Sequence, residues 1–196
     1  MYDKLNITEN HLRVLSLFTD GYDRGYYIRE VEKLLKISPR TAQLILDDLE
    51  NKGILESKTI GKIKMYELKR NSSSQRYMTF TEQYKAITFF EKNLLIKEIV
   101  EKTNKFISGM GFIFGSYAKG NANKDSDLDI FVAGKCDKEG IKKVSKTYGI
   151  EISVKCYPLK IFEKGLVNDI LIKEMLKNHV VFLNAEQFVK LVMKNE

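Results

Sequence analysis

The chain has 196 residues, of which 43% are hydrophobic and 30% charged, and its formal net charge is +7. That length accommodates one large or two small domains, each with a buried core, and no apolar run approaches the roughly 18 residues of a membrane-spanning helix. The basic excess points to a polyanionic partner, while two histidines and two cysteines leave little material for a zinc cluster or a Ser-His-Asp triad.

The first elements read as helices. Thr8 caps a helix carrying Leu12, Val14, Leu15, Leu17 and Phe18, with Gly21 as its stop. A second helix spans Tyr27 to Leu35. Ser38-Pro39 supplies an N-cap followed by proline at the first helical position, which starts a third helix that runs to about Lys52 and is ended by Gly53. Its inward stripe is Ala42, Ile45, Leu46 and Leu49, leaving Arg40, Thr41, Gln43 and Leu44 near the outer N-terminal face. Ile54 to Ser57 and Ile63 to Leu68 then read as two strands of a hairpin whose tip contains Gly61. Between residues 58 and 76, Lys58, Lys62, Lys64, Lys69, Arg70 and Arg76 face the single acid Glu67.

Three helices followed by a basic hairpin resemble the winged helix-turn-helix fold of prokaryotic DNA-binding regulators, over about residues 5 to 70. The resemblance implies that the third helix enters the major groove and the wing contacts backbone. Arg40, Thr41 and Gln43 are then the candidate base or phosphate readers, and Lys58, Lys62 and Lys64 the candidate phosphate contacts. Asp47, Asp48 and Glu50 make the other end of the third helix acidic. Such modules also serve protein–protein contacts, and those that read twofold half-sites dimerise, so a homodimer is expected.

Residues 71–80, with the polar run Asn71-Ser72-Ser73-Ser74-Gln75, read as a linker between a domain at 1–70 and a second at 81–196. Tyr84 to Phe106 carries one long helical pattern, with Ile87, Phe90, Leu94, Leu95 and Ile99 on one side. Phe112-Ile113-Phe114 reads as a buried strand, and Gly115-Ser116 as a turn that brings backbone close to a phosphate. A polar loop follows from Gly120 to Ser126. Asp127 then precedes a strand from Leu128 to Ala133. Alternation places Asp127 and Asp129 on one face and Leu128, Ile130 and Val132 on the core side. Paired carboxylates on a rigid strand suit Mg2+, which shares its shell with substrate phosphates. In the strand-like run Gly149 to Cys156, Glu151, Ser153 and Lys155 share a face, and Glu151 offers a third carboxylate if that strand lies beside Asp127 and Asp129. Cys136 and Cys156 read as free thiols of a reducing compartment. His179 lies in an apolar run and is expected to be packed.

The stretch from Gly115-Ser116 through ten residues to Asp127-Leu128-Asp129 resembles the signature of minimal nucleotidyltransferases of the polymerase-beta-like superfamily. The likeness covers about residues 88 to 193, including a helix from Ile170 to Lys177 and a last strand at His179 to Leu183. Lys119 stands where the family often has arginine, which replaces a bidentate phosphate contact by a point charge. Ile150-Glu151-Ile152 matches the family's Val-Asp-Leu-like strand. The resemblance implies a mixed sheet flanked by helices, two Mg2+ ions held by Asp127, Asp129 and Glu151, and a triphosphate held by Gly115, Ser116 and Lys119. It implies transfer of a nucleoside monophosphate from ATP or another NTP, with release of pyrophosphate.

The expected fold class is therefore α+β, a winged helix-turn-helix followed by a nucleotidyltransferase mixed sheet. Relatives of the minimal family act as antitoxins that modify a small helical RNase, which makes a protein hydroxyl the expected acceptor, DNA a second partner and autoregulation a fitting role. The alternative is a DNA-binding regulator whose transferase domain binds nucleotide or dimerises without turnover. An RNA-directed transferase is a third reading, although the region is short for the accessory helices such enzymes use. No signal-peptide pattern opens the chain, so the expected location is the cytoplasm, with no membrane partner.

Overall fold

The computed structural model describes residues 6–194. The chain divides into two compact units, residues 1–81 with 193–196, and residues 82–192.

The first unit builds helices α1 (Glu9–Leu17), α2 (Ile28–Leu35) and α3 (Pro39–Asn51) with strands β1 (Tyr26–Tyr27), β2 (Leu55–Ile60) and β3 (Ile63–Leu68). Ser38 Oγ accepts from the Thr41 amide at 3.0 Å, so the cap expected for α3 forms. The buried stripe of α3 is Ala42, Ile45, Leu46 and Leu49, as its spacing predicts. These side chains are buried, as are Val14, Leu15, Phe18 and Val31 of the same unit. The hairpin is longer than its first strand suggests, because pairing continues to Ile60↔Ile63 around Gly61. The sheet is antiparallel in the order β1-β3-β2. Strand β1 is absent from the sequence reading, which merges Tyr27 into α2. Two residues carry no period of their own, and only pairing of Tyr26 with Tyr66 and Tyr27 with Met65 makes them a strand.

Helix α4 spans Ser72–Lys92, so residues 71–80 are not an irregular linker. Asn71 explains the difference: its side-chain oxygen accepts from the Ser74 amide at 2.9 Å and its carbonyl from the Gln75 amide at 3.0 Å. The polar run is the opening turn of a helix. The single helix expected from Tyr84 to Phe106 is also two, since α4 stops at Asn93 and α5 begins at Leu94–Thr103. At Asn93 (φ −132°, ψ 62°) the side chain donates to the Phe89 carbonyl at 2.8 Å, while its own carbonyl accepts from Lys97 at 2.9 Å. One asparagine thus ends one helix and starts the next.

The second unit is a four-stranded mixed sheet in the order β6-β5-β4-β7, from β4 (Ile107–Phe114), β5 (Leu128–Cys136), β6 (Ile152–Tyr157) and β7 (Val180–Leu183). Strands β5 and β6 are parallel and the other pairs antiparallel. The parallel pair is joined by α7 (Lys138–Tyr148), as a crossover requires. On one face Ile113, Leu128, Ile130 and Val132 pack with Ile96, Ile99 and Val100 of α5 and Val144 of α7. On the other, Phe112 and Phe131 meet Phe162 of α8 (Leu159–Asn168) and Phe188 of α10 (Ala185–Val192), with ring centroids 5.0 Å apart for Phe112 and Phe188. Helix α8 is not marked in the sequence reading, whereas α9 (Ile170–Lys177) matches it. Because both faces are covered, Phe131 and Ala133 are as buried as Ile130 and Val132, and the carboxylate face stays open only where β5 begins.

Candidate active site

Two strand ends and one sharp turn make the site. The register of β4 with β5 sets Phe114 level with Asp129. The chain then leaves β4 through Gly115 at φ +70° into the short helix α6 (Gly115–Lys119). A Cβ at Gly115 would lie 2.1 Å from Asp129 Oδ2, so the carboxylate occupies the space that any other residue would fill. Glycine is required there twice, for the left-handed backbone and for the close approach.

The loop before β5 is braced by its own side chains. Asn123 accepts from the Asp125 amide at 2.9 Å, Ser126 Oγ accepts from the Asn123 amide at 2.9 Å, and the Asn121 amide donates to the Ser116 carbonyl at 3.1 Å. Asp127 ends that loop and is exposed. Asp129 is half-buried, and burial first and the Asp127 charge second hold its carboxyl above the usual range. Ser153 and the Lys155 charge oppose that rise. Ser153 is the residue level with Asp129 across the parallel pair.

The sequence-selected residues are therefore brought together unequally. Gly115, Asp127 and Asp129 converge, with Ser116 half-buried in the first turn of α6. Glu151 is exposed and stands just before β6, where its carbonyl accepts from the Leu128 amide at 2.8 Å. Strand β6 does lie beside β5, but Ser153 rather than Glu151 faces Asp129. Among the described residues no three His, Cys, Asp or Glu side chains stand together as a metal cage. Lys119 sits at the end of α6 with its Nζ 3.6 Å from Glu174 of α9, so part of its charge is answered within the protein. Alternation puts Ser153 and Lys155 on one face with Glu151, and the parallel register then sets Ser153 level with Asp129 and Lys155 level with Phe131.

Asp127 and Asp129 fit a divalent cation on their chemistry. They are hard oxygen donors two residues apart, one at the end of the loop and one near the start of β5, and their mutual repulsion is what a bound cation relieves.

In the first unit, the Tyr66 hydroxyl donates to Asp47 at 2.6 Å, and Lys64 Nζ lies 2.6 Å from Glu50 and 3.3 Å from Asp47. The Glu50 contact raises the Lys64 ammonium well above its ordinary value. Lys58 pairs with Glu67. Two of the three candidate wing lysines are thus occupied by acids of the same unit, whereas Lys62 at the turn is exposed with no ion pair among the described residues. Thr41 is held by Ser38 at 2.8 Å in the cap. Exposed Arg40 is 3.5 Å from Gln43.

Residues 89–182 match the family model described as a nucleotidyltransferase domain. The chain carries such a domain over that segment, and the match contains Gly115, Ser116, Asp127, Asp129 and Glu151. No curated protein and no solved structure gives a match.

Proposed function

We propose that the second unit transfers a nucleoside monophosphate from a nucleoside triphosphate to a hydroxyl acceptor, AMP from ATP to a protein being the form we favour. The observation that carries this reading is the packing of Gly115 against Asp129 with Asp127 beside it, inside a segment that matches the nucleotidyltransferase family. Asp127 and Asp129 would hold Mg2+, with Glu151 at the rim, and Gly115, Ser116 and Lys119 would receive the outer phosphates. Magnesium, when bound, stabilises the attacking and leaving oxygens. The acceptor oxygen forms a bond to the α-phosphorus, its proton passes to a carboxylate or to solvent, and pyrophosphate leaves. Ser153 is the residue level with Asp129 on β6 and stands where it can steady that carboxylate.

The first unit, with three helices and a three-stranded antiparallel sheet in the order β1-β3-β2, supports a winged-helix reading. Within that proposal, DNA is met by Arg40 and Lys62, and the pairing of Lys58 and Lys64 with acids makes them minor contacts. Binding of operator DNA by a dimer, with a small helical RNase as acceptor, would make the chain an autoregulating antitoxin.

A second reading is favoured by the placement of Ser153, not a carboxylate, against Asp129. It is a DNA-binding regulator that holds nucleotide without turnover. The test is magnesium-dependent incorporation of label from α-labelled ATP, CTP, GTP and UTP in lysate, comparing wild type with Asp127→Asn plus Asp129→Asn. A labelled protein band that the double variant loses supports transfer to protein. No label from any nucleotide with a folded protein favours the regulator.

A further inference from the structure

A second concavity in the 82–192 unit shares no residue with the carboxylate site. It measures about 460 Å³, within the ~300–1,000 Å³ typical of small-molecule sites. One wall is a stripe of α4, with Lys85, Phe89 and Lys92 at helical spacing. The rest of the lining includes Tyr117 of α6, the small residue Ala122 of the following loop, and His179 just before β7.

No acidic residue lines the cavity. Beneath it, buried Glu82 lies 3.0 Å from Lys85 Nζ and its other oxygen 3.0 Å from His179 Nε2. Glu82 thus offsets the Lys85 charge, and the His179 Nδ1 hydrogen is committed to the Leu176 carbonyl at 2.9 Å. Lys92 is different. It is exposed at the end of α4 and forms no ion pair among the described residues, so it presents an uncompensated cation at the cavity. Phe89 and Tyr117, both half-buried against the domain core, add aromatic surface to the lining, and Ala122 adds a small residue.

A cation beside two aromatic rings, in a space of small-molecule size without acids, suits a ligand with an anionic group attached to a flat ring. We propose that this cavity is a binding site for a nucleoside monophosphate, separate from the metal site and occupied without metal. The phosphate lies toward Lys92 and the base between Phe89 and Tyr117. This inference does not depend on nucleotidyl transfer taking place.

The test uses the full chain in EDTA, with AMP binding followed by titration calorimetry. Wild type is expected to bind AMP saturably, and Asp127→Asn plus Asp129→Asn to bind it equally well. Lys92→Glu reverses the exposed charge, and Ala122→Phe fills the space; each should weaken AMP binding about tenfold or more, with circular dichroism unchanged. The proposal is overturned if AMP does not bind in EDTA, if both cavity variants bind as wild type does, or if the double carboxylate variant loses binding. Inorganic phosphate binding as tightly as AMP would also overturn it, because the rings would then contribute nothing. Loss of transfer in lysate with retained AMP binding in EDTA would remove the catalytic reading alone.

Discussion

Replacing Gly115 by alanine tests the central contact of the proposed active site, and Gly149→Ala is its control. Both glycines have left-handed backbones, at φ +70° and +67°, but a Cβ at Gly149 meets nothing within 4 Å. The backbone cost of alanine in that conformation, about 1–2 kcal/mol, is common to both. At Gly115 the methyl group would stand 2.1 Å from Asp129 Oδ2, against at least 3.4 Å for an ordinary contact. The carboxylate must therefore move by about 1 Å, and a misplacement of that size costs on the order of 10²-fold in rate. Because a carboxylate end can swing, rotation relieves the clash, and the expected excess destabilisation of Gly115→Ala over Gly149→Ala is about 1 kcal/mol, the cost of an off-rotamer side chain. Urea unfolding and label incorporation, measured on both variants, give the two quantities. Equal stability loss together with equal activity would refute the claim that Gly115 exists to accommodate Asp129.

Three further outcomes follow from the same geometry. The Asp129 carboxyl is raised, so the metal-free fold favours its neutral form; that contribution is present at low pH and is lost as pH rises through the folded-state value. At neutral pH Mg2+ should therefore raise the melting temperature of wild type, less so as pH falls, and should leave Asp127→Asn plus Asp129→Asn unmoved; a shift in the double variant would place the metal elsewhere. For duplex DNA, Lys62→Ala should reduce the slope of log affinity against log salt by about 0.9, while Lys64→Ala, whose ammonium is engaged by Glu50 and Asp47, should leave the slope near wild type; the reverse pattern would reverse their roles. Glu82→Ala strands Lys85 and His179 beside a buried gap, and urea melts should show a loss of about 3–5 kcal/mol; a loss below about 1 kcal/mol, the scale of an exposed pair, would mean the cluster is solvated.

Much of the architecture is local and was legible for that reason. Ser38-Pro39 and Gly53 bracket α3 because capping chemistry is decided within a few residues. Strand β3 spans Ile63–Leu68 as its alternation predicts, and α9 spans Ile170–Lys177. The elements that spacing does not reveal depend on a side chain choosing between local alternatives or on a partner far along the chain. Asn71 and Asn93 are turn formers by composition, yet here one caps α4 and the other separates it from α5. Strand β1 exists only through β3, and the Lys58 and Lys64 pairings depend on which acids the fold sets opposite the hairpin.

The sequence by itself determined the ordered pieces of the site: a strand, a glycine turn, a polar loop and a strand opened by two carboxylates. Residue spacing suffices for that, because the period of a strand and the conformational freedom of glycine are properties of the chain. Only the tertiary structure decided which group meets Asp129. The parallel register of β5 and β6 selects Ser153 and leaves Glu151 at the rim, since a change of register by two residues keeps a side chain on the same face but moves it along the strand. The cavity beside Lys92 is decided in the same way, because its walls come from α4, α6 and β7, segments whose proximity no local pattern encodes.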